Sequence, residues 1–474
     1  MKLFIKRTAP VLGLLGLGLT SCQPDIEAPA VSAGSADFSR YISVGNSLTA
    51  GFADNGLYRE GQLNSYPSIL AGQFAKVGGG DFVQPLFTEA QANGSGYLRL
   101  AGFTATGSPI TAGVAGNGGR NTGAAASAPY TKFTDPINNL GVPGIRMSDI
   151  NTPGYGSLLG NPFFERITPD ATPLQTYLAR VQATVASVKP TFFTEWLGNN
   201  DVLGYATSGG ASTAAGNSLT SVATFTANTG QVLDALTAGG AKGLVVTIPD
   251  VTGIPFFTTV GPAFKATLAA NSVPGAVIFT GAAPGGPASG NRKQIATADI
   301  RDANGGRQLF TLTSSAFLGL FGRPTGAPWR SFVPKANLGA YLTAYGIDTT
   351  AAFGASAGNP IPSAFVLDDA EQLLAFNATT SFNNALIAGA NARNLAVFDA
   401  NVFFRTVASN GVATNAVNNT AGYLSGNLFS LDGVHPTPRG YAVIADEMLK
   451  AINAKYGSTF QGVNANNYRG VVFP

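Results

Sequence analysis

Apolar runs and amphipathic stretches alternate along the chain from residue 38 to its end. Runs rich in aromatic and β-branched residues predict strands at 38–44, 191–197, 243–248 and 395–399. Stretches with a helical period predict helices at 65–74, 173–188, 218–236, 368–392 and 438–456. Strands that alternate with helices favour a parallel sheet with helices on both faces. The pattern therefore predicts an α/β protein, an α/β/α sandwich around a central, mostly parallel sheet.

The last helix has the clearest pattern. Its apolar residues recur every three or four positions and share one face: Tyr441, Ile444, Ala445, Met448, Leu449 and Ile452. Pro438 suits its first turn, where the missing N–H has no helical partner to lose. In the helix predicted from Pro173, the apolar residues also share one face: Leu174, Tyr177, Leu178, Val181 and Val185.

Two long stretches break the alternation. Residues 76–136 and 255–365 are rich in small and polar residues and show little period. No segment has the composition of a linker that would divide the chain, so we expect one domain over 37–474. The two stretches would then be long Gly-rich insertions in that domain, acting as lids or as walls of a substrate site.

The charge of the chain is low and evenly balanced. Only 11% of the 474 residues are charged, and three of the 28 basic ones lie in the first 21 positions, which leaves 25 against 25 acidic residues. This balance argues against a nucleic-acid partner. The single Cys excludes an internal disulfide, and the single His excludes a metal site with two histidines. We expect neither a metal nor a cofactor.

The N-terminus resembles the export signal of a bacterial lipoprotein. Basic residues precede a short apolar segment, 11–19, which cannot span a membrane core about 30 Å thick. The sequence LTSC, which ends at Cys22, resembles a lipobox. We expect a signal peptide over 1–21, lipidation of Cys22 and a flexible tether over 22–36, which would anchor the protein to the cell envelope, at the outer membrane of a Gram-negative bacterium. An ordinary signal peptide with an incidental Cys is the alternative.

Polar residues follow several of the predicted strands. Ser47 follows the first strand, residues 139–144 follow a second expected strand, and residues 198–201 follow the strand 191–197. Residues 432–435 precede the last helix. Active sites of open α/β sheets lie beyond the carboxyl ends of the strands, so these positions are the candidates for chemistry.

His435 is the strongest single indication of function. It is the only His in the chain, and Asp432 precedes it by three residues across Gly433. A carboxylate on Nδ1 would fix the tautomer and leave Nε2 as a base. Such a base is what a serine hydroxyl needs in order to become a nucleophile. The alternative for His435 is a capping or surface residue before Pro436.

Four short blocks resemble those of the GDSL or SGNH hydrolases. They are GNSL at 45–48, NLGVPG at 139–144, GNND at 198–201 and DGVHP at 432–436. Each block alone has low specificity, but all four occur in the family's order, and the last contains the only His. The resemblance covers most of the mature chain and implies an α/β/α fold of the SGNH or flavodoxin-like kind.

The resemblance also implies roles for individual residues. Ser47 would be the nucleophile, His435 the general base and Asp432 the residue that orients it. The oxyanion hole would be formed by the backbone N–H groups of Ser47 and Gly144 and by the side-chain amide of Asn200. The family usually has Asp before the nucleophile, where this chain has Asn46. That departure puts the hydrogen bonding of the loop in question rather than the chemistry.

These observations predict an exported, lipid-anchored, monomeric serine hydrolase. It would cleave a carboxylic ester of a lipid, an O-acetylated glycan or a small molecule through an acyl-enzyme on Ser47. It would touch the membrane through Cys22 only. The alternative is a catalytically silent surface lipoprotein that binds a glycan or a protein partner, and a purely structural surface protein explains the four blocks least well.

Other polar residues near the blocks have weaker interpretations. Two interpretations are open for Glu195 and Trp196, which either line a pocket or belong to the core. We favour the core, because Trp is usually buried. Asp201 is expected to hold its loop through backbone hydrogen bonds. Asp250 is expected to form a turn, and Arg146 to be solvated.

Overall fold

The strands of the protein are short. The computed structural model describes residues 30–105, 107–120, 129–210, 215–280 and 291–474, so the predicted signal peptide, Cys22 and most of the tether lie outside the described residues. In chain order the strands are β1 (Tyr41–Gly45), β2 (Gly96–Phe103), β3 (Pro109–Ala115), β4 (Asn139–Gly141), β5 (Phe192–Trp196), β6 (Lys242–Val246), β7 (Gly275–Phe279), β8 (Arg292–Ala296), β9 (Leu309–Phe310), β10 (Val366–Leu367), β11 (Ala396–Phe398), β12 (Val412–Thr414) and β13 (Val417–Asn419).

Five of these strands form the central sheet, in the order β4-β1-β5-β6-β11. The prediction of a mostly parallel sheet is confirmed, and in fact every neighbouring pair of this sheet is parallel. Counted along the chain, the order is 2-1-3-4-5, which reverses direction at β1. In such sheets, ligands bind in the crevice beyond the carboxyl ends of the strands at that reversal.

Helices flank the sheet. They are α1 (Ser47–Ala50), α2 (Arg59–Leu63), α3 (Tyr66–Phe74), α4 (Pro162–Ile167), α5 (Tyr177–Val188), α6 (Asn200–Thr207), α7 (Val222–Thr237), α8 (Pro255–Thr258), α9 (Val260–Ala270), α10 (Ser315–Leu318), α11 (Ala327–Arg330), α12 (Leu338–Ala344), α13 (Asp369–Ala392), α14 (Ala400–Asn410) and α15 (Pro438–Tyr456). Helix α3 packs against α15, and α7 packs against both α5 and α13. The prediction of an α/β architecture with helices around the sheet is confirmed.

The predicted elements agree closely with the observed ones, with two corrections. Helix α5 begins at Tyr177 because the Thr176 hydroxyl caps it, so Leu174 precedes the helix and is 69% exposed instead of lying on its apolar face. The block at 139–144 does not follow a strand, because its first three residues are β4 itself. Helix α15 has the predicted bounds, and Thr437 caps it.

The main hydrophobic core surrounds the sheet. The side chains of Ile42, Val44, Phe193 and Leu244 on the central strands have no exposed surface. Burial on both faces explains why these strands occur in the sequence as continuous apolar runs.

The two stretches outside the alternation contain regular structure that the sequence pattern did not predict. Strands β2 and β3 form an antiparallel hairpin within 76–136. Within 255–365, β7 and β8 form another hairpin, and α9 packs on β9. This second stretch has a hydrophobic cluster of its own, which includes Phe264, Ile278 and Phe310. Among the described residues, no helix combines the length and the apolar character that crossing a membrane requires.

Candidate active site

Ser47 lies directly beyond the carboxyl end of β1, at the start of α1. Asn46 caps this short helix, since its side-chain oxygen accepts a hydrogen bond from the Leu48 N–H at 3.0 Å. An Asp at this position would offer the same oxygen, so Asn46 preserves the loop bond that the departure from the family pattern put in question. The Nδ2 atom of Asn46 is buried without a hydrogen-bond partner among the described residues.

The structure brings Ser47, His435 and Asp432 into one hydrogen-bonded chain. The Oγ atom of Ser47 lies 2.9 Å from His435 Nε2, and His435 Nδ1 lies 2.9 Å from Asp432 Oδ2. Ser47 and His435 are 388 positions apart in sequence, so the fold alone joins them. The arrangement is that of a nucleophile, a base and an orienting carboxylate.

Asp432 is held by a set of donors besides the imidazole. Its Oδ1 accepts from the backbone N–H groups of Val434 and His435, both at 2.8 Å, and from the Ser430 hydroxyl at 3.2 Å. Its Oδ2 accepts from the Asn55 N–H at 2.9 Å. Burial alone would raise the pKa of Asp432, but the imidazole and these hydrogen bonds outweigh it and hold the pKa below its ordinary value. The carboxylate therefore stays ionised and fixed.

The turn that supplies the Asn55 N–H is itself tied to the loop of Asp432. Asp54 and Asn55 both have left-handed backbone conformations, with φ of 51° and 60°. The Asp54 N–H donates to Ser430 Oγ at 2.8 Å, and Asp54 Oδ1 accepts from the Leu431 N–H at 3.0 Å. This role was not predicted, although an Asp-Asn-Gly sequence is typical of turns with positive φ and was the available signal.

Three loops meet beside Ser47. The register pairs Gly45 of β1 with Gly141 of β4 and with Trp196 of β5, so the carboxyl ends of these strands lie side by side. The Val142 N–H donates to Gly45 O at 3.0 Å, and the Asn200 amide donates to Ile145 O at 2.9 Å. The loops of the first three blocks are therefore joined to one another.

The predicted oxyanion donors lie on these loops. Gly144 is exposed, with a φ of +82°, a conformation that favours glycine. Asn161 holds the residue before Gly144, because the Asn161 amide donates to Pro143 O at 2.8 Å. Asn200 starts α6, and one hydrogen of its amide is taken by Ile145 O, which leaves the other for a ligand. The roles of Gly144, Asn200 and the Ser47 N–H as oxyanion donors stay predictions.

Asp201 links the second and third loops, as expected. Its side chain accepts from the backbone N–H groups of Met147 at 2.7 Å and Ser148 at 3.2 Å. Burial raises the pKa of Asp201 to about 6. The expectation for Arg146 was wrong, because its guanidinium pairs with Asp149 at 2.7 Å and is mostly covered.

Glu195 and Trp196 belong to the core rather than to a pocket, as favoured. Trp196 has no exposed surface, and its Nε1 donates to Thr247 O at 3.2 Å. Burial raises the pKa of Glu195 to about 8, so this carboxyl holds its proton at neutral pH. Asp250 forms a turn, as expected, since its carboxylate accepts from the Thr252 N–H.

The imidazole of His435 and the turn that precedes it are closely packed. The Phe52 ring lies 4.7 Å from the imidazole, measured between centroids. Gly433 has a φ of +70°, and a Cβ at this position would come within 2.9 Å of Phe256 N. A glycine is therefore required for both the backbone conformation and the close approach.

No family model, no curated protein and no solved structure matches the chain. Over the ranges that the structure describes, no group of three or more His, Cys, Asp or Glu is arranged to hold a metal ion. The likeness of the four blocks to the SGNH hydrolases therefore stays a resemblance.

Proposed function

We propose that the protein is a serine hydrolase that cleaves a carboxylic ester through an acyl-enzyme on Ser47. The observation that carries the proposal is the hydrogen-bonded chain from Ser47 Oγ through His435 to Asp432, with 2.9 Å at each step. A purely structural His before Pro436 has no need of a buried serine hydroxyl on Nε2 and a fixed carboxylate on Nδ1. This is also the set of roles that the SGNH-like blocks imply.

In the proposed reaction, Ser47 Oγ attacks the ester carbonyl while His435 Nε2 takes its proton. The negative charge on the carbonyl oxygen is met by the N–H groups of Ser47 and Gly144 and by the Asn200 amide. His435 then gives the proton to the leaving alcohol, and the acyl group stays on Ser47. A water molecule, activated by the same imidazole, releases the acid and restores the serine. Asp432 stays ionised throughout and stabilises the imidazolium.

The proposal extends to the location of the enzyme. The N-terminal sequence favours lipidation at Cys22 after removal of residues 1–21, so the catalytic domain would be held at the cell envelope by the tether 22–36. Metabolic labelling with a palmitate analogue tests this part alone. Label in the wild type and none in Cys22→Ser is expected, and equal label in both would refute it.

Hydrolysis of p-nitrophenyl acetate, butyrate and octanoate tests the chemistry. Turnover by the wild type should fall at least about 10⁴-fold in Ser47→Ala, because the nucleophile is lost. The exposed Ser409 serves as a matched control, and Ser409→Ala should keep full activity. A fluorophosphonate probe should label the wild type on Ser47.

Full hydrolysis by Ser47→Ala would overturn the proposal. So would a folded wild type that neither hydrolyses these esters nor forms the phosphonate adduct. That second outcome would favour a silent surface lipoprotein that binds a glycan or a protein.

A further inference from the structure

The turn of Asp54 and Asn55 reaches both oxygens of the Asp432 carboxylate. The Asn55 N–H donates to Asp432 Oδ2 at 2.9 Å, and the same oxygen lies 2.9 Å from His435 Nδ1. The Asp54 N–H donates to Ser430 Oγ at 2.8 Å, and the Ser430 hydroxyl in turn donates to Asp432 Oδ1 at 3.2 Å. The turn therefore acts on the carboxylate by two routes, one for each oxygen.

The Asp54 side chain fixes this turn against the loop 430–432. Asp54 is 6% exposed, and its Oδ1 accepts a hydrogen bond from the Leu431 N–H at 3.0 Å. Its Oδ2 accepts from the Tyr58 hydroxyl at 2.8 Å. The carbonyl of Asp54 accepts from the Leu98 N–H at 2.7 Å. Every polar group of Asp54 is thus bonded, so the turn has little freedom to move away from the loop.

The Tyr58 hydroxyl can donate only toward Asp54. Tyr58 is buried, and its ring stacks on Tyr97 with 4.3 Å between centroids. Arg469 Nη2 donates to the Tyr58 hydroxyl at 3.2 Å, and a guanidinium has no acceptor to offer in return. Burial raises the pKa of Tyr58, so the hydroxyl keeps its proton. Its proton therefore lies on the Asp54 carboxylate, which is held from the side opposite to the loop 430–432.

The direction of the Asp432 carboxylate decides the state of the proposed base. Nε2 of His435 has to be free of a proton in order to accept the proton of Ser47, so the proton of the neutral ring has to lie on Nδ1. A carboxylate oxygen fixed at Nδ1 favours that tautomer, whereas a carboxylate that turns away leaves both tautomers populated. Misplacement of a reacting group by about 1 Å costs about 10²-fold in rate.

We propose that Asp54 is a positioning residue of the proposed triad, which keeps Asp432 directed at His435 Nδ1 through Ser430 and the Asn55 N–H. The proposal rests on the proposed esterase function and adds to it a residue that lies outside the four blocks. The alternative is that Asp54 only stabilises a turn, in which case its loss would lower stability and leave the imidazole unchanged.

Two variants of Asp54 tolerate its left-handed backbone, with a φ of 51°. Asp54→Gly removes the carboxylate, whereas Asp54→Asn keeps an oxygen for the Leu431 N–H and an amide that can donate to the Tyr58 hydroxyl. In the full chain, kcat for p-nitrophenyl acetate should fall about 10²-fold in Asp54→Gly, with little change in KM, and should recover in Asp54→Asn. Asn394 is exposed and also left-handed, with a φ of 56°, so Asn394→Gly is the matched control and should keep normal kinetics.

Nitrogen NMR of the imidazole measures the proposed effect without a substrate. His435 is the only His, so labelling with ¹⁵N-histidine reports on this ring alone. At a pH where the ring is neutral, the wild type should show a protonated Nδ1 and a bare Nε2. Both shifts should move toward the average of the two tautomers in Asp54→Gly and should stay in place in Asp54→Asn. Tyr58→Phe removes only the bond to Oδ2 and should give a smaller movement in the same direction.

The outcomes separate this proposal from the function on which it rests. A folded Asp54→Gly with the kcat and the ring shifts of the wild type would overturn the positioning role and leave the esterase standing. Equal losses in Asp54→Gly and Asp54→Asn would also overturn it, because the charge of Asp54 would then matter and not its hydrogen bonds. If Asp54→Gly does not fold, unchanged ring shifts in Tyr58→Phe would have the same meaning.

Absence of any hydrolysis that depends on Ser47 would overturn the proposed function. The ring shifts would still decide the role of Asp54, because they are measured without turnover. Movement in Asp54→Gly and none in Asp54→Asn would support it.

Discussion

Two regions of this protein bury apolar residues in different ways. Around the sheet, Val44 and Phe193 lie in strands that are covered on both faces. In 255–365, Phe264 and Phe310 belong to a separate cluster to which short elements contribute, among them the two-residue strand β9 and the four-residue helix α10. The sheet can be predicted from apolar runs, whereas the second cluster has only one comparable run, at Gly275–Phe279.

The difference extends to function. The sheet places the residues of the proposed chemistry, because parallel register aligns the ends of β4, β1 and β5. The irregular segments line a cleft of about 770 Å³ that reaches Asp432. We therefore expect changes in the sheet to affect every substrate alike, and changes in the segments to alter substrate choice.

The largest expected effect compares one Phe from each region. Phe193→Ala and Phe310→Ala each remove a side chain with no exposed surface and should each cost about 3–5 kcal/mol. Phe193→Ala should speed hydrogen exchange throughout the protein, since it weakens the central sheet. Phe310→Ala should speed exchange mainly within 255–365 and leave the amides of β1 and β5 protected. Equal loss of protection in both variants would show that the regions open as one unit.

The next effect concerns the sheet loops. Asn200→Ala should lower kcat about 10²- to 10³-fold for short and long esters alike, with little change in KM, because an oxyanion donor acts mainly in the transition state. Asn151, an exposed residue that bonds to Asn228 and Gln231, provides the control, and Asn151→Ala should keep normal kinetics. A change in KM alone would mean that Asn200 only holds the loop at Ile145.

A third effect is a pH dependence of stability that comes from Glu195. The pKa of this carboxyl is raised by burial from 4.5 to about 8, so the folded chain keeps a proton that the unfolded chain releases. The contribution of Glu195 to the free energy of unfolding is full below about pH 4.5. It falls as the pH rises toward 8, by up to about 1.4 kcal/mol per pH unit.

Urea unfolding between pH 5 and pH 8 measures this slope. Glu195→Gln cannot titrate, so its stability relative to the wild type should improve as the pH rises. The side chain of Glu89 is 91% exposed, and Glu89→Gln should leave the slope unchanged. Parallel profiles for the wild type and Glu195→Gln would contradict a neutral Glu195 in the folded protein.

Local signals predicted most of the sheet and part of the site. The bounds of α15 follow from its apolar period and from Thr437 and Pro438 at its start. Asp432 and His435 are three residues apart, so their bond is a local matter. The hydrogen bonds of Asn55 and Asp54 to the same loop join residues that are 377 positions apart. No period or motif in the sequence predicts a contact at that separation.

The sequence by itself determined four of the five strands of the sheet, the polar residues near the strand ends and the pairing of Asp432 with His435. These depend on residues that are close in the chain, where spacing and side-chain chemistry limit the outcome. Only the tertiary structure decided that His435 meets Ser47, that three loops join beside it, and that the segments 76–136 and 255–365 line one cleft at Asp432. Those contacts depend on strand register and on packing between distant segments, which are properties of the whole fold.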